Sequence, residues 1–315
     1  MKKKVFIDGS EGTTGLRIFE RFESRDDIEL LKIPSELRKD PVEVKKYINE
    51  SDITFLCLPD AAAREAVAMV ENENTIILDT STAHRTEAGW AYGYPELSAA
   101  HREAIRTGKR IAVPGCYATG FITTAYALVA GGILPKDYPV SAFAVSGYSG
   151  GGKKMIAQYQ AQDKEKELSS ARLYALSQAH KHLKEMKAIS GLERTPLFSP
   201  MVTDYYSGMT VSLTFYADML NGSQTPETVR EYLAKHYAGE KFITVQPLGA
   251  EAESGGVLFS SARSGWDGLE IYVTGNEERI MVTTRFDNLG KGASGAAIQC
   301  MNIVLGCEED KGLTV

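Results

Sequence analysis

Only four of the 315 residues are cysteine (Cys57, Cys116, Cys300 and Cys307), and no two of them stand as C-x-x-C. That scarcity excludes a disulfide-stapled fold. In a chain this long the four read as free thiols of a reducing compartment, the cytoplasm. Histidine is also scarce, at five, and no histidine–cysteine–carboxylate spacing supplies enough ligands for a metal. No apolar run approaches the roughly 18 residues that a membrane span needs. The formal net charge is −6 and no basic block offsets it, which argues against a general nucleic-acid binder. The opening "MKKK" runs directly into the strand-like "VFIDG", not into the apolar stretch of a signal peptide. Repeats and low-complexity linkers are lacking as well.

What is present is an alternation. "KVFID" (4–8), "IELLKI" (28–33), "DITFLCLP" (52–59), "TIILDT" (75–80) and "RIAVPG" (110–115) are short apolar strands, with helix-like segments between them. Such a pattern predicts a parallel sheet covered on both faces. A longer insert, 81–109, separates the last two strands. Beyond about residue 138 the strands lengthen, and "LEIYVTG" and "RIMVTTRFD", joined by "NEE", form a hairpin. The small-residue segment "GKGASGAAIQCMNIVLG" (290–306) reads as one helix returning to the first domain. The expected fold is α/β: a Rossmann-like dinucleotide-binding domain over 1–116 plus 290–315, and an α+β catalytic and oligomerisation domain over 117–289 with a mixed or antiparallel sheet.

"VFIDGSEGTTG" sets Gly9, Gly12 and Gly15 after the first strand and at the start of a helix, with Ser10, Thr13 and Thr14 between them. Glycines there let the backbone approach a pyrophosphate, and the helix N-terminus offers unpaired N–H groups. The spacing is G-x-x-G-x-x-G; the bland alternative is a tight turn without a ligand. NAD-binding units usually carry an acid at the end of the second strand. Here that strand runs into "PSELRKD", so Ser35, Arg38 and Lys39 stand at its tip, and NADP is expected over NAD, with Glu36 the nearby acid.

Cys116, in "VPGCYATG", follows a strand and begins an apolar helix that stops at Gly131–Gly132. The N–H groups and dipole of a helix N-terminus stabilise a thiolate. Cys57 and Cys300 lie in apolar elements and Cys307 near the tail, so those three read as ordinary small side chains. A thiolate beside a nicotinamide has a chemical use: it attacks an acyl phosphate or aldehyde, and hydride moves between that carbon and the cofactor. For a proton carrier, His101 and His236 sit in charged helix patterns expected to be exposed, while "SQAHKHLKEM" places His180 and His182 at a loop-to-helix junction.

In order, "GSEGTTG", "LPD", "DTSTAHRT", "YGYPEL", "VPGCYATG", "SGYSGGGKK", "HKHLKEM" and "NLGKGASGAAIQCMN" resemble the N-acetyl-γ-glutamyl-phosphate reductases in their shorter form, within the semialdehyde dehydrogenase superfamily, from residue 4 to about 306. The resemblance implies that Cys116 forms a thioester with the substrate acyl group, displacing phosphate, and that NADPH reduces it to the semialdehyde. It implies that the double-histidine segment is the acid/base, His182 preferred to His180. It implies that Ser149 and Gly150 lie near nicotinamide and substrate, that Lys291, Gly292 and Ala293 form a cofactor-side loop, and that Arg85 meets an anionic substrate group or holds the insert by a salt bridge. Longer members read H-R-H-x-P-E, whereas Lys181 and "LKEM" stand here. The resemblance further implies a homo-oligomer, dimer or tetramer, built through the second sheet. Competing readings are the same reaction on an aspartyl or aminoadipyl phosphate, a glyceraldehyde-3-phosphate-type dehydrogenase, and a non-catalytic NADP-binding sensor.

Overall fold

In a computed structural model, residues 2–315 are described, and the chain divides into two compact units: 1–115 with 293–313, and 116–292 with 314–315. Cys116 and Gly290–Gly292 therefore go with the second unit, a small shift from the expected 1–116 and 290–315. The last two residues also return to it, because Asp267 N donates to Thr314 O and Thr314 N to the Asp267 carboxylate.

The first unit runs β1 (Lys3–Asp8), α1 (Thr13–Phe22), β2 (Ile28–Leu31), α2 (Pro41–Glu50), β3 (Ile53–Leu56), α3 (Asp60–Ala68), β4 (Ile76–Asp79), β5 (Ala91–Tyr92), α4 (Ala99–Thr107) and β6 (Arg110–Ala112). Six parallel strands stand in the order β2-β1-β3-β4-β6-β5. The chain leaves β1 for β2 on one side and then crosses to β3 on the other, so the loop after β1 lies where the winding reverses, the place open α/β sheets use for ligands.

Alternation along β1 divides the core. Val5 and Ile7 pack with Ile18 and Phe22 of α1 and with Ile298 and Met301 near the C-terminus. Phe6 points to the opposite face, with Ile48 of α2 and Ala63 and Ala66 of α3. Local chemistry sets the helix starts: Asp40 accepts from Val42 N, with Pro41 in the first turn of α2.

The second unit continues with α5 (Cys116–Ala130), β7 (Ser141–Gly147), α6 (Gly152–Gln160), β8 (Arg172–Leu173), α7 (Leu183–Ser190), β9 (Leu197–Thr203), β10 (Met209–Tyr216), α8 (Pro226–His236), β11 (Ile243–Val245), β12 (Leu269–Gly275) and β13 (Arg279–Phe286). Their order is β11-β12-β13-β10-β7-β9-β8, a mixed sheet in which β11–β12 and β7–β9 are parallel and the other pairs antiparallel. The expected hairpin is β12–β13, closed by Asn276, whose side chain accepts from Glu278 N and Arg279 N.

α5 is apolar nearly all round, as a helix buried on most sides must be. It lies close against the sheet: a Cβ on Gly120 would stand 2.6 Å from Thr284 Oγ1 and 2.7 Å from Val211 Cγ2. The other face of the sheet leaves Phe143, Leu197 and Tyr216 exposed.

The segment expected as one helix over 290–306 is two pieces. A wide π-helical turn, Gly290–Ser294, precedes α9 (Gly295–Leu305). Asp287 causes the wide turn: its carboxylate accepts from Leu289 N and Gly290 N, and its carbonyl from Gly292 N.

Candidate active site

In the loop after β1, Gly9 has φ +83°, and a Cβ there would lie 2.4 Å from Cys57 O. A Cβ on Gly15 would lie 2.3 Å from Gly9 O, so the third glycine is what lets α1 press onto the loop. Gly12 caps α1 without a side-chain acceptor, and the adjacent Thr13 Oγ1 is buried with no hydrogen-bond partner. A buried hydroxyl beside uncapped helix N–H groups suits a phosphate oxygen. The residues present thus fit a dinucleotide.

Beside this loop is a cavity lined by Asp8, Gly9, Ser10, Glu11, Arg38 and Lys39, among others. Arg38 pairs with Glu11. Ser35, expected here, is exposed and outside the lining. The acid that faces Arg38 is Glu11, which comes from the glycine loop. Burial pushes the Asp8 carboxyl up to about 6.

The loop after β4 is built on Asp79. Its carboxylate accepts from Ser81 N and Ser81 Oγ and lies 2.6 Å from His84 Nδ1, and His84 stacks on Trp90 with ring centroids 4.1 Å apart. Arg85 is buried; its Nε donates to Val113 O (2.8 Å) and its Nη2 to Thr80 O (2.9 Å). These two donations make Arg85 a clasp on main-chain carbonyls, one of them three residues before Cys116. Cys57 has its thiol pushed up to about 12 by burial, which keeps it protonated.

Cys300, in the first unit, is buried and donates to Gly93 O, whereas Cys116, the first residue of α5 in the second unit, is partly exposed. Gly292 backs onto it: a Cβ there would lie 2.9 Å from Cys116 Cβ. The adjacent Tyr117 ring meets His180 (5.6 Å between centroids) and His182 (6.0 Å).

The two histidines are bound differently. His182 N donates to His180 Nδ1 (3.1 Å), and His180 Nε2 lies 3.4 Å from the Tyr174 hydroxyl. Both His180 ring nitrogens are therefore engaged in holding the loop. Burial, helped by the neighbouring Lys181 charge, pushes His180 down to about 4, so it stays neutral at pH 7. Upstream, Gln178 adopts φ +55° and bonds both Phe198 N and Phe198 O, fixing the approach to α7. His182 is buried at the N-terminal cap position of α7.

Ser149 Oγ accepts from Asn288 Nδ2 (3.0 Å), and Asn288 Oδ1 accepts from Gly208 N (2.9 Å). Gly150 borders the same Asn288 side chain. Lys291 is 1 % exposed and its Nζ stands over the Phe242 ring, 5.0 Å from the centroid. His101 and His236 are half-buried, not on open faces: His101 bonds Ser98, and His236 packs against Tyr126, Tyr232 and Tyr237. The sequence assigns no role to Asn288, Tyr174 or the Asp79–His84 pair, although Asn288 opens "NLGKGAS" and Asp79 and His84 lie in "DTSTAHRT".

Two family descriptions match. "Semialdehyde dehydrogenase, NAD binding domain" covers 4–106, and "Semialdehyde dehydrogenase, dimerisation domain" covers 116–288. The chain belongs to the semialdehyde dehydrogenase family. Among relatives of this family member, one from Nostoc sp. named N-acetyl-gamma-glutamyl-phosphate reductase 2 is 43% identical over 320 residues, 99% of each chain. One from Brucella ovis named N-acetyl-gamma-glutamyl-phosphate reductase is 44% identical over 310 residues, 97% of this chain and 100% of the relative. Among solved structures, aspartate semialdehyde dehydrogenase from Francisella tularensis has a TM-score of 0.73 at 15% identity, over 97% of this chain and 100% of its own. Aspartate semialdehyde dehydrogenase II from Vibrio cholerae, complexed with ASA, has 0.72 at 15%, over 97% and 99%. At that identity these two carry the fold alone.

Among the described residues no helix is long and apolar enough to cross a membrane, and no group of three or more His, Cys, Asp or Glu is placed to hold a metal ion.

Proposed function

We propose that this semialdehyde dehydrogenase family member reduces N-acetyl-L-glutamyl 5-phosphate to N-acetyl-L-glutamate 5-semialdehyde and phosphate with NADPH, a step of arginine biosynthesis. The observation that carries the substrate assignment is identity of 43% and 44%, over nearly the whole chain, to two proteins named as that reductase. The chemistry rests on the placement of Cys116.

Cys116 Sγ attacks the γ-acyl carbon as a thiolate; a carbon–sulfur bond forms and the carbon–oxygen bond to phosphate breaks. The first turn of α5 favours the thiolate through its N–H groups and dipole. NADPH, when bound, would supply the hydride that the thioester carbon takes up, and Cys116 then leaves as the thiolate as the semialdehyde carbonyl forms. His182 is the proton carrier for the thiol. His180 is its positioning residue: its ring accepts from the His182 backbone and its pKa keeps it neutral. Asn288 orients Ser149 toward the acyl group. The glycine loop, with Thr13, would hold the pyrophosphate, and Arg38 with Lys39 would hold the 2′-phosphate.

Assembly with copies of the same chain, as a dimer or tetramer, uses the open face of the mixed sheet, where Phe143, Leu197 and Tyr216 are exposed. The four free thiols suit work in the cytoplasm.

The test runs the reaction backwards: NADP reduction with phosphate and a panel of N-acetylglutamate, aspartate and aminoadipate semialdehydes. Turnover is expected with the first, and is expected to fall at least 1,000-fold in Cys116→Ala. Turnover only with another semialdehyde overturns the substrate assignment. Full activity in Cys116→Ala overturns the mechanism.

A further inference from the structure

The cavity beside the glycine loop contains a conflict. It is lined by two cations, Arg38 and Lys39, as a site for a phosphate dianion should be, yet it is also lined by the carboxylate of Glu11. Glu11 lies in the loop after β1 and Arg38 in the loop after β2, and the two side chains form an ion pair across the cavity. Both remain substantially exposed, at 41% for Arg38 and 49% for Glu11. A pair that open to water is held weakly and is readily exchanged for a stronger partner. It is not a structural clasp like the Arg25–Asp27 pair of the same unit, in which the arginine is buried.

We propose that Glu11 is an internal competitor for the cofactor's 2′-phosphate: it occupies Arg38 in the free protein, yields it when NADPH binds, and thereby sets how strongly the enzyme prefers NADPH to NADH. This rests on the NADPH reading given above. A ribose 2′-phosphate brings two negative charges and several acceptor oxygens, so it displaces a single carboxylate from a guanidinium. Breaking the Glu11–Arg38 pair takes back part of what the 2′-phosphate gains from Arg38, so the pair lowers NADPH affinity only where both partners are present. NADH meets the opposite situation. Its 2′-hydroxyl carries no charge, the Glu11–Arg38 pair stays closed, and a carboxylate is the group that accepts from a ribose hydroxyl in NAD sites. Glu11 therefore tolerates NADH and penalises NADPH, while Arg38 does the reverse.

The experiment is a double-mutant cycle on nucleotide binding alone. Wild type, Glu11→Gln, Arg38→Ala and the double variant are titrated with NADPH and NADH, without substrate, by reduced-nicotinamide fluorescence and calorimetry. Melting curves check folding. Glu11→Gln is expected to tighten NADPH three- to tenfold and to change NADH less than twofold. Arg38→Ala is expected to weaken NADPH at least tenfold, and Glu11→Gln is expected to give no gain in the Arg38→Ala background. An unchanged NADPH affinity in Glu11→Gln, with the Arg38→Ala loss intact, overturns the proposal and leaves the cofactor reading standing. Equal tightening of both nucleotides, or a gain that persists without Arg38, overturns it as well. If Arg38→Ala binds NADPH as wild type does, the 2′-phosphate does not reach this cavity, and both the Arg38 assignment and the proposal fall.

Discussion

Substituting Gly292 by Ala adds one methyl group and removes no functional atom. The new Cβ would stand 2.9 Å from Cys116 Cβ, 3.3 Å from Cys116 Cα and 3.2 Å from Asp287 O. Carbon–carbon contacts settle at about 3.5–4.0 Å, so roughly 0.6–1 Å of retreat is needed. No flexible side-chain end takes part: the obstacles are the main chain and the first carbon of Cys116. The retreat must come from the start of α5 or from the turn at Gly290–Ser294. α5 resists it, since Gly120 already sits against Thr284 and Val211. Overpacking of this kind costs about 1–3 kcal/mol. For a unit of this size that corresponds to a Tm lower by roughly 2–10 °C. The catalytic loss should be larger in proportion, because a displacement of about 1 Å at the nucleophile costs on the order of 100-fold. Three readouts separate the effects: Tm, kcat/KM in the phosphate-dependent oxidation of the semialdehyde, and the iodoacetamide alkylation rate of Cys116 against a Cys116→Ser control. The expected variant is folded, loses roughly 30- to 300-fold in kcat/KM, and alkylates at an altered rate. A Gly292→Ala protein with wild-type kcat/KM and a Tm within about a degree would refute the reasoning.

The two histidines should separate by pH profile. His182→Asn should abolish the limb that reports the acid/base, losing about 100- to 10,000-fold, the usual worth of such a group. His180→Asn should cost less and leave the profile's shape unchanged, since His180 is neutral across the assay range; equal losses with equal profiles would contradict the division of roles. In the first unit, Arg25 grips Asp27 through two bonds of 2.7 Å, with Lys311 Nζ 3.0 Å away, and holds Asp27 below the usual carboxylate range. A depressed carboxyl stabilises the fold above its unfolded pKa, and that contribution is lost as pH falls through it. Asp27→Asn should therefore cost about 1–3 kcal/mol at pH 7 and progressively less below about pH 4. A constant difference between pH 7 and pH 3 in urea melts would count against the pair.

The strand–helix alternation of the first third, the hairpin near the C-terminus and the glycine turn were all legible in order along the chain, because each is written in residues a few positions apart. Cys116 was legible for the same reason: a strand, a Pro–Gly step and an apolar helix follow one another within about twenty residues. Lys291 was legible only as part of a glycine-rich segment. "GKGAS" looks like a polar, cofactor-facing loop, yet Asp287 winds it into a wide turn that buries the lysine over Phe242. Arg85 was half legible, since only the fold shows that its donors meet the carbonyls of Thr80 and Val113.

The sequence by itself determined the local devices: where the backbone turns on glycine, where a helix N-terminus meets a thiol, and which loop carries cations at the tip of the second strand. Periodicity and short-range sterics suffice for those. Only the tertiary structure decided which partner each device meets. Glu11, not Glu36, faces Arg38 because parallel pairing of β1 and β2 brings their two carboxyl-end loops together. His180 holds the loop because its ring nitrogens meet the His182 backbone and Tyr174. Gly292 lies against Cys116, 176 positions away in the chain, because the turn at Asp287 delivers it there. Those contacts depend on sheet order and on how closely backbones approach, and neither is recorded in the spacing of residues along the chain.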